Sequence, residues 1–273
     1  MRYISLRGNE LPVIGQGTWR MGESTTRRQE EVAALRLGLD LGLTLIDTAE
    51  MYADGGAERV VGEAIAGRRD EVFLVSKAYP WNAGRHSLPR ACEESLRRLG
   101  TDYLDLYLLH WRGEYPLGET VEAFERLREQ GRIRHWGVSN FDVDDLEELS
   151  DTRCAVNQVQ YNPEARGIDF DLLPWQRRHE LPLMAYCPVG QGGQLLQHPA
   201  LGQVAERHDA TPAQIALAWC LREPGVMAIP KAIDPEHLRR NAEAADIRLD
   251  DQDLSILDAA FPPPTRKRRL AIL

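Results

Sequence analysis

No stretch of this 273-residue sequence is apolar for long enough to cross a bilayer, and residues 1–8 hold no apolar run of the signal-peptide kind. Cysteine is scarce: Cys92, Cys154, Cys187 and Cys220 stand far apart and form no CxxC pair. That argues against a disulfide framework and a zinc site, and reads as reduced structural thiols in a cytoplasmic protein. No HExxH helix or clustered His/Cys spacing occurs, so no metal is expected. An excess of positive charge is missing too. The formal net charge of −9 speaks against nucleic acid as a partner, since phosphate recognition needs a basic face. The one basic run, Arg266-Lys267-Arg268-Arg269, follows Pro262-Pro263-Pro264 and reads as a solvated tail or a local salt-bridge partner. What remains is the balance of an ordinary globular enzyme, with 43% hydrophobic and 27% charged residues. The length allows a large core without metal or disulfide. A soluble monomer of one domain, spanning residues 1–273, is expected, with no membrane partner.

The chain opens as a hairpin, with 3–6 and 11–14 as strands about a Gly8-Asn9 turn whose residue types tolerate positive φ. From there it alternates. Short apolar runs that suit buried parallel strands lie at 14–18, 43–47, 72–77, 104–110, 133–138, 155–160, 183–186 and 226–229. Helical periodicity fills 30–41, 58–66, 88–99, 120–130, 144–149, 169–179, 212–222 and 235–244. Regular β-α alternation points to an α/β fold with a parallel sheet and helices outside. An open doubly wound sheet would carry a GxGxxG turn after its first strand. Here the nearest segment is Gly15-Gln16-Gly17-Thr18-Trp19-Arg20, with arginine at the third glycine position. A closed (β/α)8 barrel, the TIM-barrel architecture, is expected, preceded by the N-terminal β-hairpin.

Polar residues gather where the runs end. Asp47 closes the second, Lys77 the third and His110 the fourth, and Tyr52 follows Asp47 in the loop. A barrel opens all its C-terminal strand ends on one face, so these four converge. A phenol, with a pKa of about 10, is a weak acid. An adjacent ammonium favours the phenolate, and a carboxylate orients and neutralises that cation. A histidine can donate a hydrogen bond to a carbonyl oxygen and polarise it for attack by hydride. Singly each residue has a plainer explanation, as a cap, a snorkelling lysine or a core histidine; jointly they make a proton-donating site.

The segment Ile46-Asp47-Thr48-Ala49-Glu50-Met51-Tyr52, with Val75-Ser76-Lys77, Asp105–His110–Trp111, Gly137-Val138-Ser139-Asn140, Val156–Asn162 and Ile229-Pro230-Lys231, resembles the ordered motifs of the aldo-keto reductases. The resemblance runs from Gly15 to about Asn241 and is closest to the bacterial branch that reduces small aldehydes such as methylglyoxal. It implies a catalytic tetrad of Asp47, Tyr52, Lys77 and His110, acting on a small-molecule carbonyl with NADPH. It further implies that Ser139, Asn140 and Gln160 hold the nicotinamide carboxamide, that Tyr186 stacks on the ring, and that Gly17 and Thr18 line the cofactor's approach. Cys187, Pro188, Val189 and Gln191 would meet the pyrophosphate, with a thiol where the family has serine, so backbone amides should carry more of that contact. Lys231, His237, Arg240 and Asn241 would hold the adenosine 2′-phosphate. Ala232 replaces a hydroxyl residue and His237 an arginine there, so NADPH is expected with reduced discrimination against NADH. Trp19, Trp81 and Trp111, each just past a strand end, are expected to line the substrate pocket, which the short tail after Ala260 would leave rather open.

Two rivals differ in class. A nucleophilic hydrolase is disfavoured because Phe141 stands where a GxSxG elbow needs its last glycine. A cofactor-binding sensor or auxiliary barrel subunit with little catalysis is the alternative; the complete tetrad favours the enzyme.

Overall fold

The computed structural model describes residues 1–273. Strands β1 (Tyr3–Leu6) and β2 (Asn9–Pro12) pair antiparallel, Leu6 opposite Asn9. The two residues between them, Arg7 and Gly8, have φ of 50° and 85°, so the turn sits one residue earlier than expected. The hairpin buries Leu6 and Leu11 in the same apolar cluster as the inward side chains of the barrel strands. Arg7 pins it there by donating to the carbonyls of Thr152 and Cys154.

Eight strands follow in one parallel sheet, in chain order. They are β3 (Gln16–Gly17), β4 (Leu45–Asp47), β5 (Phe73–Ala78), β6 (Leu104–Leu109), β7 (Ile133–Ser139), β8 (Asn157–Gln160), β9 (Leu183–Tyr186) and β10 (Val226–Ala228). The first and last runs meet. Ile14 bridges Ala228 in parallel, the Gly15 amide donates to Ala228 O at 2.8 Å, and the Gly17 amide donates to Pro230 O at 3.0 Å. The barrel is therefore closed. At Gly17 a Cβ would stand 2.6 Å from Ile229 O, so closure itself requires glycine there, independently of any ligand.

Ten α-helices surround the sheet: α1 (Arg28–Asp40), α2 (Gly56–Ile65), α3 (Ser87–Leu99), α4 (Leu117–Glu129), α5 (Val143–Leu149), α6 (Leu172–Arg178), α7 (Pro199–Arg207), α8 (Pro212–Cys220), α9 (Pro235–Ala244) and α10 (Asp251–Ala260). Two of them, α7 and α10, fall outside the eight helical patterns of the sequence. They pack on each other, and buried Asp253 accepts from Arg207 at 2.7 Å and pairs with His208 at 2.6 Å. No helix is long and apolar enough to cross a membrane.

Side chains alternate in and out along each strand. Leu45, Phe73 with Val75, Leu106 with Leu108, Val156, Met184 and Met227 fill the barrel interior, whereas Ile46, Leu74, Tyr107, Leu109, Val159 and Ala185 pack outward under the helices. Carrying each inward series one step further reaches Asp47, Lys77, His110, Gln158 and Tyr186. Polar chemistry therefore forms the top layer of an otherwise apolar interior.

Candidate active site

Lys77 is fully buried, and each of the three N–H donors of its ammonium meets an acceptor. It donates to Asp47 Oδ1 at 2.6 Å, to Thr48 O at 2.9 Å and to Tyr52 Oη at 3.1 Å. Asp47 is held from its other oxygen by Gln158 Nε2 at 2.8 Å, reaching across the barrel from β8. The rings of Tyr52 and His110 meet edge to face, their centroids 5.9 Å apart. The four expected side chains are thus one cluster. Gln158 joins it although the sequence reading stopped at Gln160. The two share a face of β8, with Gln158 the deeper, and strand alternation alone could have identified it.

Burial dominates the electrostatics. It raises the Asp47 carboxyl and lowers the Lys77 ammonium from their ordinary values, each partly countered by the other's charge. Tyr52, part-open to the barrel mouth, is held well above the ordinary phenol value by desolvation and then by the Asp47 charge. A net lowering of the phenol, expected from the ammonium beside it, is therefore not found; burial and then the carboxylate set the direction. Desolvation, then the Lys77 charge, holds His110 well below its ordinary value, so its ring is neutral. Its buried Nδ1 has no partner. An orphaned lone pair is tolerated better than an orphaned N–H, so we assign the ring proton to Nε2.

The positions expected to hold a cofactor lie around the same rim, not all with free groups. Ser139 Oγ donates to Gln158 O at 2.9 Å. Asn140, at φ 59°, donates to His110 O at 3.0 Å and accepts from Tyr186 Oη at 2.9 Å, which ties three expected site residues together. Thr18 is turned inward and donates to Asp47 O at 3.0 Å. Half-buried Gln160 faces a cavity of about 140 Å³ whose other walls include Arg268, Arg269, Leu270 and Ala271. The tail therefore runs along the mouth. Lys267 fastens it there, 3.2 Å from Asp142 Oδ2 and 3.1 Å from Asp171 Oδ2, so that flank of the mouth is less open than the sequence implied. The Cys187 thiol is pushed up to about 11 by burial and remains a neutral S–H, while Pro188 is buried beside half-buried Val189 and exposed Gln191.

Exposed Lys231 ends the segment after β10, and α1 packs beside α9. Desolvation and the nearby Arg27 and Arg20 guanidinium groups push its ammonium below the ordinary lysine value, against Glu31 and Glu23. Cations crowded in this way fit a phosphate. Arg240 is engaged on its own helix, donating to Glu236 Oε1 at 2.8 Å; His237 is exposed and Asn241 buried.

Trp81 and Trp111 come together, ring centroids 5.8 Å apart, and Trp111 lies 5.0 Å from His110. Tyr79, which the sequence reading passed over, stacks on Trp81 at 4.1 Å and meets Trp111 edge-on at 6.0 Å. Trp19 stands apart, 37% exposed beneath the Arg20 guanidinium. No three histidine, cysteine or carboxylate side chains converge to hold a metal ion.

The model of the aldo/keto reductase family matches residues 13–261. The chain is 54% identical over 268 residues to the methylglyoxal reductase YeaE of Escherichia coli, covering 95% of this chain and 94% of the relative. It is 35% identical over 255 residues to a glyoxal reductase of Bacillus subtilis, covering 92% and 90%. An aldo/keto reductase of Klebsiella pneumoniae solved with NADP and acetate superposes with a TM-score of 0.98 at 55% identity, over 100% of this chain and 99% of that one.

Proposed function

The chain belongs to the aldo/keto reductase family, and from that premise we propose that it reduces small aldehydes, methylglyoxal among them, to alcohols with NADPH and with Tyr52 as the acid. One observation carries the assignment of roles. Lys77 can only donate, and it donates to Tyr52 Oη; the phenol's own hydrogen is left to point elsewhere, toward the mouth. A carbonyl oxygen placed between Tyr52 Oη and His110 Nε2 accepts from both. His110, neutral and protonated on Nε2, polarises the carbonyl, and Tyr52 delivers the proton as negative charge develops on that oxygen. Lys77, already bonded to Oη, stabilises the phenolate left behind, and Asp47 holds Lys77 in place. Bound NADPH supplies the hydride.

Ser139, Asn140, Gln160 and Tyr186 would hold the nicotinamide end, with Gly17 and Thr18 beside its approach. Residues 187–191 would lie along the pyrophosphate, and Lys231, His237, Arg240 and Asn241 at the adenosine end. The cation excess about Lys231 supports the phosphorylated cofactor over NADH. Trp111 and Trp81, with Tyr79, would form the apolar wall nearest His110, and Trp19, after β3, would complete the substrate pocket's lining. The same reading takes the protein to be a cytoplasmic monomer of one domain; its four free thiols suit a reducing compartment. The test is NADPH oxidation with methylglyoxal, aromatic aldehydes, open-chain sugars and ketones. Binding of NADPH without turnover of any of these would replace the reductase with a cofactor-sensing barrel.

A further inference from the structure

Glu50 sits two residues before Tyr52, on the loop that carries the acid. Its backbone amide donates to Lys77 O at 3.3 Å. Its Oε1 accepts from the Tyr79 amide at 2.7 Å and from Asn82 Nδ2 at 3.0 Å. One residue therefore staples the Tyr52 loop to the chain leaving β5 on both sides of Ala78. That chain carries Tyr79 and Trp81, stacked on each other and packed against Trp111, which touches His110. Trp81 is 59% exposed, so neighbouring core does not hold its ring in place. The Tyr79 stack and the edge of Trp111 do, and the Glu50 staple fixes the backbone on either side of it.

We propose that Glu50 is a positioning residue: by fixing the Tyr79–Trp81 wall relative to Tyr52 and His110, it sets how well flat aromatic carbonyls are used relative to small aliphatic ones. This rests on the reductase reading above. An aromatic substrate must lay its ring on that wall while its carbonyl oxygen reaches Tyr52 and His110. A displacement of the wall therefore misplaces the carbonyl. An aldehyde with only a methyl substituent has little to lay there and depends less on the wall. The role needs an acceptor rather than a charge, because both bonds end on the same oxygen, and an amide oxygen has two lone pairs for them.

The experiment compares phenylglyoxal with methylglyoxal, which share their reacting dicarbonyl and differ in phenyl against methyl. In Glu50→Ala, kcat/KM for phenylglyoxal should fall roughly tenfold further than for methylglyoxal, chiefly through KM. Glu50→Gln should restore the parent ratio. Asn82→Ala, which removes one of the two donors, should shift the ratio the same way by less, and it decides the matter if Glu50→Ala fails to fold. The near-ultraviolet circular dichroism of the stacked Tyr79–Trp81 pair, read without cofactor or substrate, should weaken in Glu50→Ala and recover in Glu50→Gln. An inactive parent enzyme overturns the reductase reading and this one with it. An active parent whose substrate ratio and spectrum are unmoved by Glu50→Ala overturns the role of Glu50 alone. Glu50→Gln behaving like Glu50→Ala overturns the acceptor argument.

Discussion

Lys77 Nζ lies 3.1 Å from Tyr52 Oη, and its other two N–H bonds end on Asp47 and Thr48. The phenol is consequently an acceptor toward the protein interior, and in the proposed role its own hydrogen is the donor toward the mouth. Tyr52→Phe keeps the ring and deletes that donor. Carbonyl reduction should fall by about 10²–10⁴-fold while NADPH affinity changes little. Single-turnover rates with methylglyoxal, alongside NADPH titration by fluorescence, measure the two effects. Near-normal turnover by the variant would remove Tyr52 from the acid's role.

The burial that raises Tyr52 and lowers His110 makes a statement about pH. Below its ordinary value of 6.5 a free imidazole charges, but His110 is held well below that, by desolvation and then by Lys77. Tyr52 keeps its proton past the ordinary phenol value of 10.0. At saturating substrate and cofactor, kcat for reduction should therefore show no inflection at either value. Its acid-side loss should fall below 6.5 and its alkaline loss above 10.0. The sign follows from the roles: protonating His110 adds a cation beside Lys77, and deprotonating Tyr52 removes the acid. A loss centred at the ordinary histidine value would show that His110 titrates freely.

Lys77→Met tests the pair beneath the acid. The Asp47 carboxylate is 1% exposed, and removing its ammonium leaves it only Gln158 as a polar partner. An uncompensated buried charge of this kind costs about 3–5 kcal/mol of stability. The variant should lose reductive rate and also denature at lower urea. Adding Asp47→Asn to Lys77→Met removes the orphaned charge, so stability should partly return and the rate should not. Chemical denaturation with parallel rate measurements separates these. Full activity in Lys77→Met would make the lysine structural only.

Much of this was legible in the chain, and what was not has physical reasons. The strands announced themselves because a parallel barrel buries both faces of each one, leaving short apolar runs such as Phe73–Ala78. Asp47, Lys77 and His110 stood out because they interrupt those runs at their ends. Helices α7 and α10 escaped because neither separates two barrel strands alone. Their caps were nevertheless in the sequence: Pro199 opens α7, and Asp250 with Asp253 forms a capping box for α10, ahead of three prolines. Gly17 was expected beside the cofactor's approach, and its lack of a Cβ has a separate reason in Ile229 O that only the closed barrel reveals. The sign of the Tyr52 shift could not be read at all, because it depends on how much water the folded site excludes. The engagement of Arg240 was legible, since a helix over 235–244 sets Glu236 four residues before it, but the cofactor assignment did not use that spacing.

That engagement bears on cofactor choice. Lys231 is a point charge with Arg27 and Arg20 nearby, whereas the Arg240 guanidinium already donates through Nε to Glu236. Asp234 caps α9 by accepting from the Glu236 and His237 amides, which occupies donors a 2′-phosphate could otherwise use. Recognition of the phosphate should therefore fall mainly on Lys231. A charge-assisted hydrogen bond of this kind is worth about 1.5–3 kcal/mol. Lys231→Ala should accordingly cut the ratio of kcat/KM for NADPH over NADH by roughly 10- to 100-fold, mostly through KM for NADPH. Glu236→Gln works in the opposite direction: it weakens the hold on Arg240, frees a planar fork suited to phosphate, and should widen the preference. The measurements are kcat/KM and fluorescence-derived Kd for both cofactors in the parent and the two variants. A parent that prefers NADH, or a preference indifferent to Lys231, would show that the phosphate is held elsewhere.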